Sequence, residues 1–205
     1  MTDQPLSEPY GCDPAAVNLS NWRTRPHSQW AFQNTALLVP SVAIAGGGAE
    51  PFSGDEMSIA EISVGPEACT LDQFLTVAEA DEMLVLKFGQ AIGRWRAPHR
   101  VASRPHIAFS ISKSITGVLA GILADKGVLD VTRTVSHYVP GAARSGYGDC
   151  SVRNLLDMRV SLAFSEEYLD EDGDYARYRR AMLWNPVPSG FTPEPLADML
   201  CSLGK

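Results

Sequence analysis

Ser110 and Lys113 stand three residues apart in the run SISKSITG, an S-x-x-K tetrad. On a helix that spacing puts both side chains on one face, which is the adjacency a serine nucleophile needs. A hydroxyl attacks a carbonyl only when a neighbouring base takes its proton. A lysine does so once burial and nearby positive charge bring it below its ordinary pKa of about 10.4. A helix start adds backbone N–H groups and the positive end of the helix dipole, where an oxyanion would develop. The competing reading makes Ser110 a helix cap and Lys113 a solvated charge. Eighteen serines and four lysines in 205 residues produce such a tetrad by chance roughly a third of the time. The surrounding sequence therefore has to decide.

The elements that would position the pair are readable in outline. Ile111, Ile115, Val118, Leu119, Ile122 and Leu123 recur at three- and four-residue spacing, which predicts a helix to Lys126 with a buried face and with Gly127 as its cap. Ahead of it, Met83 to Leu86, Gly89 and Ala91 to Trp95 read as a β-hairpin. A short amphipathic stretch, Val131 to Val139, is stopped by Pro140-Gly141, and Ser151 is placed to cap a helix over Val152, Leu155, Leu156 and Met158. Residues 1 to 21 are polar and Pro/Gly-bearing and read as a loosely held arm ahead of one domain, 22 to 205. From Trp22 to Gly48, aromatic residues and the apolar LLVPSVAI imply packing on a core before a glycine turn. Residues 49 to 70 read as a long loop.

Composition excludes several classes. The chain has 45% apolar and 20% charged residues, enough for one core, and its net charge of -7 argues against nucleic acid or an anionic membrane as partner. No apolar run approaches the roughly 20 residues that span a bilayer, and the N-terminal residues do not read as a signal peptide, so a cytoplasmic protein is expected. Cys12, Cys69, Cys150 and Cys201 are scattered, which fits reduced thiols. His27, His99, His106 and His137 lack zinc-ligand spacing. Asp170, Asp172 and Asp174 alternate like a calcium loop, but Tyr175 and Ala181 stand where its glycine and closing glutamate belong. Gly46-Gly47-Gly48 lacks the Lys-Ser/Thr of a phosphate cradle, so no metal or organic cofactor is expected. Asp157 and the pair Glu166 and Glu167 read as exposed carboxylates rather than an acid/base couple.

Three blocks carry a family likeness: NWRTRPHSQWAF with LLVPSVAI, then FSISKSITGVLAGILADKGVLDVTRTVSHYVP, then SVRNLLDMRVSLAFSEEYLDEDGDY. The chain resembles the serine β-lactamase-related hydrolases, the group of class C β-lactamases and penicillin-binding-protein-like enzymes. Within it the likeness is to the 6-aminohexanoate-dimer hydrolase and esterase branch. The resemblance implies an α+β, β-lactamase/transpeptidase-like fold, of which this chain holds the N-terminal portion, a β-hairpin plus a helical region with an incomplete sheet. It implies an acyl-enzyme on Ser110, with Lys113 as proton-transfer partner and Tyr168 as a pocket tyrosine near a substrate amide or ester. For Tyr168 the alternative is an aromatic packed on a loop.

The family's second motif, Y-x-N or S-x-N, and its third, K-T-G or H-x-G, are absent. None of the six tyrosines is followed two places on by asparagine. Two functions stay open on these grounds: a serine hydrolase of amides or esters, or a truncated, catalytically inert piece that exposes apolar surface and unpaired backbone. The expected partner is a small amide or ester substrate, with a complementary C-terminal segment or a homo-oligomer as further candidates.

Overall fold

A computed structural model describes residues 10–44, 57–65 and 69–205. Internal packing divides the chain into two compact units, Met1–Ile107 and Ala108–Lys205, a division that composition did not signal.

The first unit is built on the hairpin. Strands β4 (Glu82–Lys87) and β5 (Gln90–Arg96) pair antiparallel, from Glu82 opposite Arg96 to Lys87 opposite Gln90. Burial alternates along β5, with Ala91, Gly93 and Trp95 facing inward, as a strand with one covered face requires. A short parallel strand β1 (Met57–Ser58) adds to β5, giving the order β1-β5-β4, and β2 (Ser63–Val64) pairs with β3 (Cys69–Thr70). The segment expected to be a loop over 49–70 thus contributes short strands in its described part, while 49–56 and 66–68 lie outside the described residues. β4 has no second neighbour among the described residues, so the sheet is small and open on that side.

Helix α2 (Leu71–Val77) starts with a reciprocal cap: Gln73 N donates to Thr70 Oγ1 at 3.2 Å, and Thr70 N to Gln73 Oε1 at 3.0 Å. Its Leu71 and Leu75 pack with Ile59, Trp95 and Ala97 into one core. Trp95 Nε1 reaches Asp72 Oδ1 at 2.8 Å, so the largest side chain there leaves no polar atom unpaired.

The hairpin turn is Phe88-Gly89, with φ of 50° and 79°. Two central residues at positive φ match the twist of the strands, and asparagine suits the first far better than phenylalanine does. Phe88 is 96% exposed and has little packing to lose. Phe88→Asn is therefore expected to stabilise the protein by about 1 kcal/mol, read as a rise of a few degrees in the thermal midpoint. No rise would mean the turn does not hold this conformation.

N-terminal to the sheet, helix α1 (His27–Ala31) and Trp22 pack with Phe32. Trp22 is fully buried, and its ring meets Phe32 edge-on at 6.2 Å. Tyr10 and Val17 are also buried, and a 3-10 turn at Pro14–Ala16 is capped by Asp13, all within the segment whose composition suggested a loose arm. Conversely, Leu37, Val42 and Ile44 are 74%, 88% and 91% exposed, against the expectation that LLVPSVAI packs on a core. From Pro40 to Ile44 the described chain forms no helix or strand that would hold these side chains against a core. Gly46 to Gly48 lie outside the described residues.

Two carboxylates at the root of β4 tie this unit together. Asp81 receives His99 Nε2 and His106 Nε2, each at 2.7 Å, and Arg25 at 3.3 Å. Glu82 receives Arg94 and Arg96 at 3.0 and 2.7 Å, and its other oxygen lies 3.1 Å from Arg100. Burial pushes both acids upward, but the hydrogen bonds and positive charges around them outweigh it and hold both below the usual carboxylate range. A lowered folded pKa adds stability that is fully present above the ordinary value of about 4 and is lost as pH falls through the folded value. The denaturation midpoint is therefore expected to drop on acidification below about pH 4. Asp81→Asn should flatten that dependence, and an unchanged slope in the variant would contradict the assignment.

The second unit is helical. Helix α3 (Ile111–Asp125) ends at Gly127, whose φ of 70° supplies the left-handed cap read from the sequence. It is followed by α4 (Val135–Tyr138), a 3-10 turn over Pro140–Arg144, α5 (Val152–Leu156), α6 (Asp174–Ala181) and α7 (Leu196–Ser202). Ser151 Oγ accepts from Asn154 N at 3.1 Å, capping α5 as expected. Arg177 forks onto Glu194 at 2.6 and 2.7 Å, joining α6 to the segment that leads into α7. Met199 is fully buried, with Ala181 and Leu203 around it and Phe164 and Tyr178 against them.

The expected buried face of α3 is not buried. Ile115, Val118 and Leu119 remain 58%, 64% and 56% exposed, and Ala120 alone is covered. The periodicity records a face suited to burial, and the described residues do not cover it.

Candidate active site

α3 carries the S-x-x-K pair at its first turn. Lys113 Nζ lies 2.9 Å from Ser110 Oγ. Ser110 has helical backbone angles, and its hydroxyl caps no backbone N–H, so the capping role weighed for it does not apply. The hydroxyl's partner is the lysine. The two face a cavity of about 670 Å³.

The approach to the nucleophile is strained. Phe109, immediately before Ser110, has φ of 42°, a conformation a bulky side chain adopts only when its surroundings impose it. Its ring meets Trp184 edge-on at 6.1 Å, and both rings line the cavity. The helix-start amides differ from expectation. Ile111, Ser112 and Lys113 each donate to a carbonyl three residues back, at 3.0, 3.1 and 3.0 Å. An oxyanion beside Ser110 would draw on the helix dipole while competing with those carbonyls for the amides.

Tyr168 also lines the cavity, 56% exposed, with its hydroxyl donating to Glu166 Oε2 at 3.3 Å. Its ring lies 4.4 Å from that of Tyr175, over which the Arg179 guanidinium sits at 4.1 Å. Tyr175 and the Glu166 carboxylate push the Tyr168 phenol above its usual range, so it is an O–H donor at neutral pH. Burial does the same for Tyr147 and Tyr178.

The remaining sequence candidates divide. Glu166 lines the cavity, whereas Asp157 is engaged by Arg153 at 2.9 Å. Asp170 and Asp172 form an exposed turn in which Asp172 N donates to Asp170 Oδ1 at 3.0 Å. No group of three His, Cys, Asp or Glu side chains among the described residues is placed to hold a metal. The four thiols are unpaired. The aromatic wall of Phe109, Tyr147, Phe164, Tyr178 and Trp184 was not read from the sequence. The spacing of Tyr175 and Tyr178 on α6 was the one local signal for it, since three residues on a helix share a face.

Comparison with known proteins places this chain in a family. The Beta-lactamase family model matches residues 74–200, more than half of the chain, and the chain belongs to that family. It is 29% identical over 172 residues to the 6-aminohexanoate-dimer hydrolase of Paenarthrobacter ureafaciens, covering 84% of this chain and 43% of that protein. A solved structure from Bacillus anthracis, provisionally named a 6-aminohexanoate-dimer hydrolase, superposes with a TM-score of 0.80 at 21% identity. That match covers 93% of this chain and 52% of the other and shows the shared β-lactamase/transpeptidase-like fold. The chain spans about half the length of these relatives. No helix among the described residues is long and apolar enough to cross a membrane.

Proposed function

We infer that the chain carries the nucleophile side of a serine hydrolase that cleaves amide or ester bonds through an acyl-enzyme on Ser110. The observation that carries this reading is the 2.9 Å approach of Lys113 Nζ to Ser110 Oγ, with the hydroxyl free of any capping role and facing a cavity. Along the same line a neutral lysine accepts the hydroxyl proton as Oγ bonds to the carbonyl carbon. The proton then passes to the leaving amine or alcohol as its bond to that carbon breaks. Water hydrolyses the ester left on Ser110. Tyr168 stands at the cavity as a neutral donor for the substrate carbonyl or leaving group.

The curated relative is named a 6-aminohexanoate-dimer hydrolase, which supports an amide as one substrate bond. The residues at the cavity supply the acid/base chemistry without any cofactor, and the acidic balance of the chain suits a small-molecule substrate better than a nucleic acid or a membrane. Four unpaired thiols fit a cytoplasmic setting.

One observation favours a second reading, in which turnover needs a complementary segment or a second copy. Lys113 is exposed, as is the apolar face of α3. A segment or second copy packed on that face would bury both. Peptide mapping of the full chain after treatment with a fluorophosphonate separates the two. One phosphonyl group on Ser110 supports activation in this chain alone. A folded chain that stays unlabelled, or is labelled elsewhere, overturns the first reading.

A further inference from the structure

We propose that the cavity selects acyl groups that are bulky, apolar and uncharged, aromatic ones above all, and that Glu166 rejects anionic ones. This rests on the acyl-enzyme reading and deepens it by naming the substrate class.

The walls argue for shape and polarity. Phe109, Phe164, Tyr178 and Trp184 offer ring faces and edges, and Met158 and Met182 add flexible thioethers that pack against irregular or aromatic groups. A cavity of about 670 Å³ is far larger than an acetyl group needs and has room for a ring on a linker. A short acyl group there would leave the rings uncovered and gain little from burial.

Charge argues for the rejection. Among the described residues, the charged side chains lining the cavity are Lys113 and Glu166. In the acyl-enzyme reading Lys113 is the neutral base beside Ser110, so the fixed charge met by the distal end of a substrate is that of Glu166. Among the described residues its carboxylate meets the Tyr168 hydroxyl, a neutral donor, at 3.3 Å. Arg179 is stacked over Tyr175 at 4.1 Å and over Tyr168 at 5.6 Å and does not line the cavity. A carboxylate on the acyl group would meet like charge in a site that shields it poorly.

The test uses the full chain and three p-nitrophenyl esters: the acetate, the phenylacetate and the phenylacetate bearing a para-carboxylate. Acylation is read as the p-nitrophenolate burst, after subtracting the Ser110→Ala background and scaling to each ester's spontaneous hydrolysis. The phenylacetate is expected to acylate at least about tenfold faster than the acetate, the scale set by apolar complementarity in such pockets. Its carboxylate analogue is expected about tenfold slower than the phenylacetate, and Glu166→Gln should narrow that gap to within about threefold. In the unaltered chain, raising salt to about 0.5 M should narrow the gap as well, which keeps the test intact if the variant does not fold. Ser110-dependent acylation that is as fast on the acetate, or a carboxylate penalty that neither Glu166→Gln nor salt reduces, overturns this proposal alone. Absence of Ser110-dependent release from all three esters by a folded chain overturns the acyl-enzyme reading and this proposal with it.

Discussion

Lys113→Met is expected to slow acylation of Ser110 by about 10²- to 10⁴-fold while leaving the fold intact. Methionine keeps the length and apolar stem of the side chain and removes the ammonium or amine that meets Ser110 Oγ at 2.9 Å. Position 113 is exposed on α3 and makes no ion pair among the described residues, so the change leaves no buried charge uncompensated. A structural role would show as a lowered denaturation midpoint with acylation scaled to the folded fraction. The expected signature is the reverse: an unchanged midpoint and a lost burst. Equal acylation by the variant would place the base elsewhere.

The second large effect is on stability. Met199 is one of two large side chains among the described residues with no exposed surface, and it supports Leu203, Phe164 and Tyr178, three residues of the cavity wall. Met199→Ala removes three heavy atoms from a site enclosed on all sides and is expected to cost about 2 to 5 kcal/mol, the range for truncating a buried methionine or leucine. Urea unfolding followed by the aromatic near-ultraviolet signal measures it. Because the same side chains line the cavity, preference among esters should weaken in the variant even where it is still folded. A loss below about 1 kcal/mol would mean that α7 is not held by this contact.

The parts of this molecule governed by local rules were readable from the sequence. The β4–β5 hairpin, the length of α3, its cap at Gly127 and the Ser151 cap each follow from a few neighbouring residues, and the structure places them as those residues imply. The Ser110–Lys113 contact was legible for the same reason, since helix geometry alone brings residues three apart together. The positive φ at Phe109 was not, because strain is imposed by surroundings that no local pattern records. Nor was the cavity wall, assembled from Phe109, Tyr147, Phe164, Tyr178 and Trp184, whose nearness depends on the packing of α6 and α7.

Burial was the least legible property. The apolar stripe on α3 and the run LLVPSVAI both suggested buried faces, and both are exposed among the described residues. Tyr10 and Val17, in a segment of polar and Pro/Gly composition, are buried. Amphipathic pattern states what a segment would gain from a partner surface, and only the packed chain shows which segments obtain one.

The central claim is that Ser110 is an activated nucleophile in this chain. Intact mass of the full chain, quenched in acid seconds after mixing with p-nitrophenyl phenylacetate, tests it most directly beside Ser110→Ala. The expected result is one phenylacetyl increment on the parent chain and none on the variant. A folded parent chain without the increment, or an increment that persists in Ser110→Ala, would contradict the account.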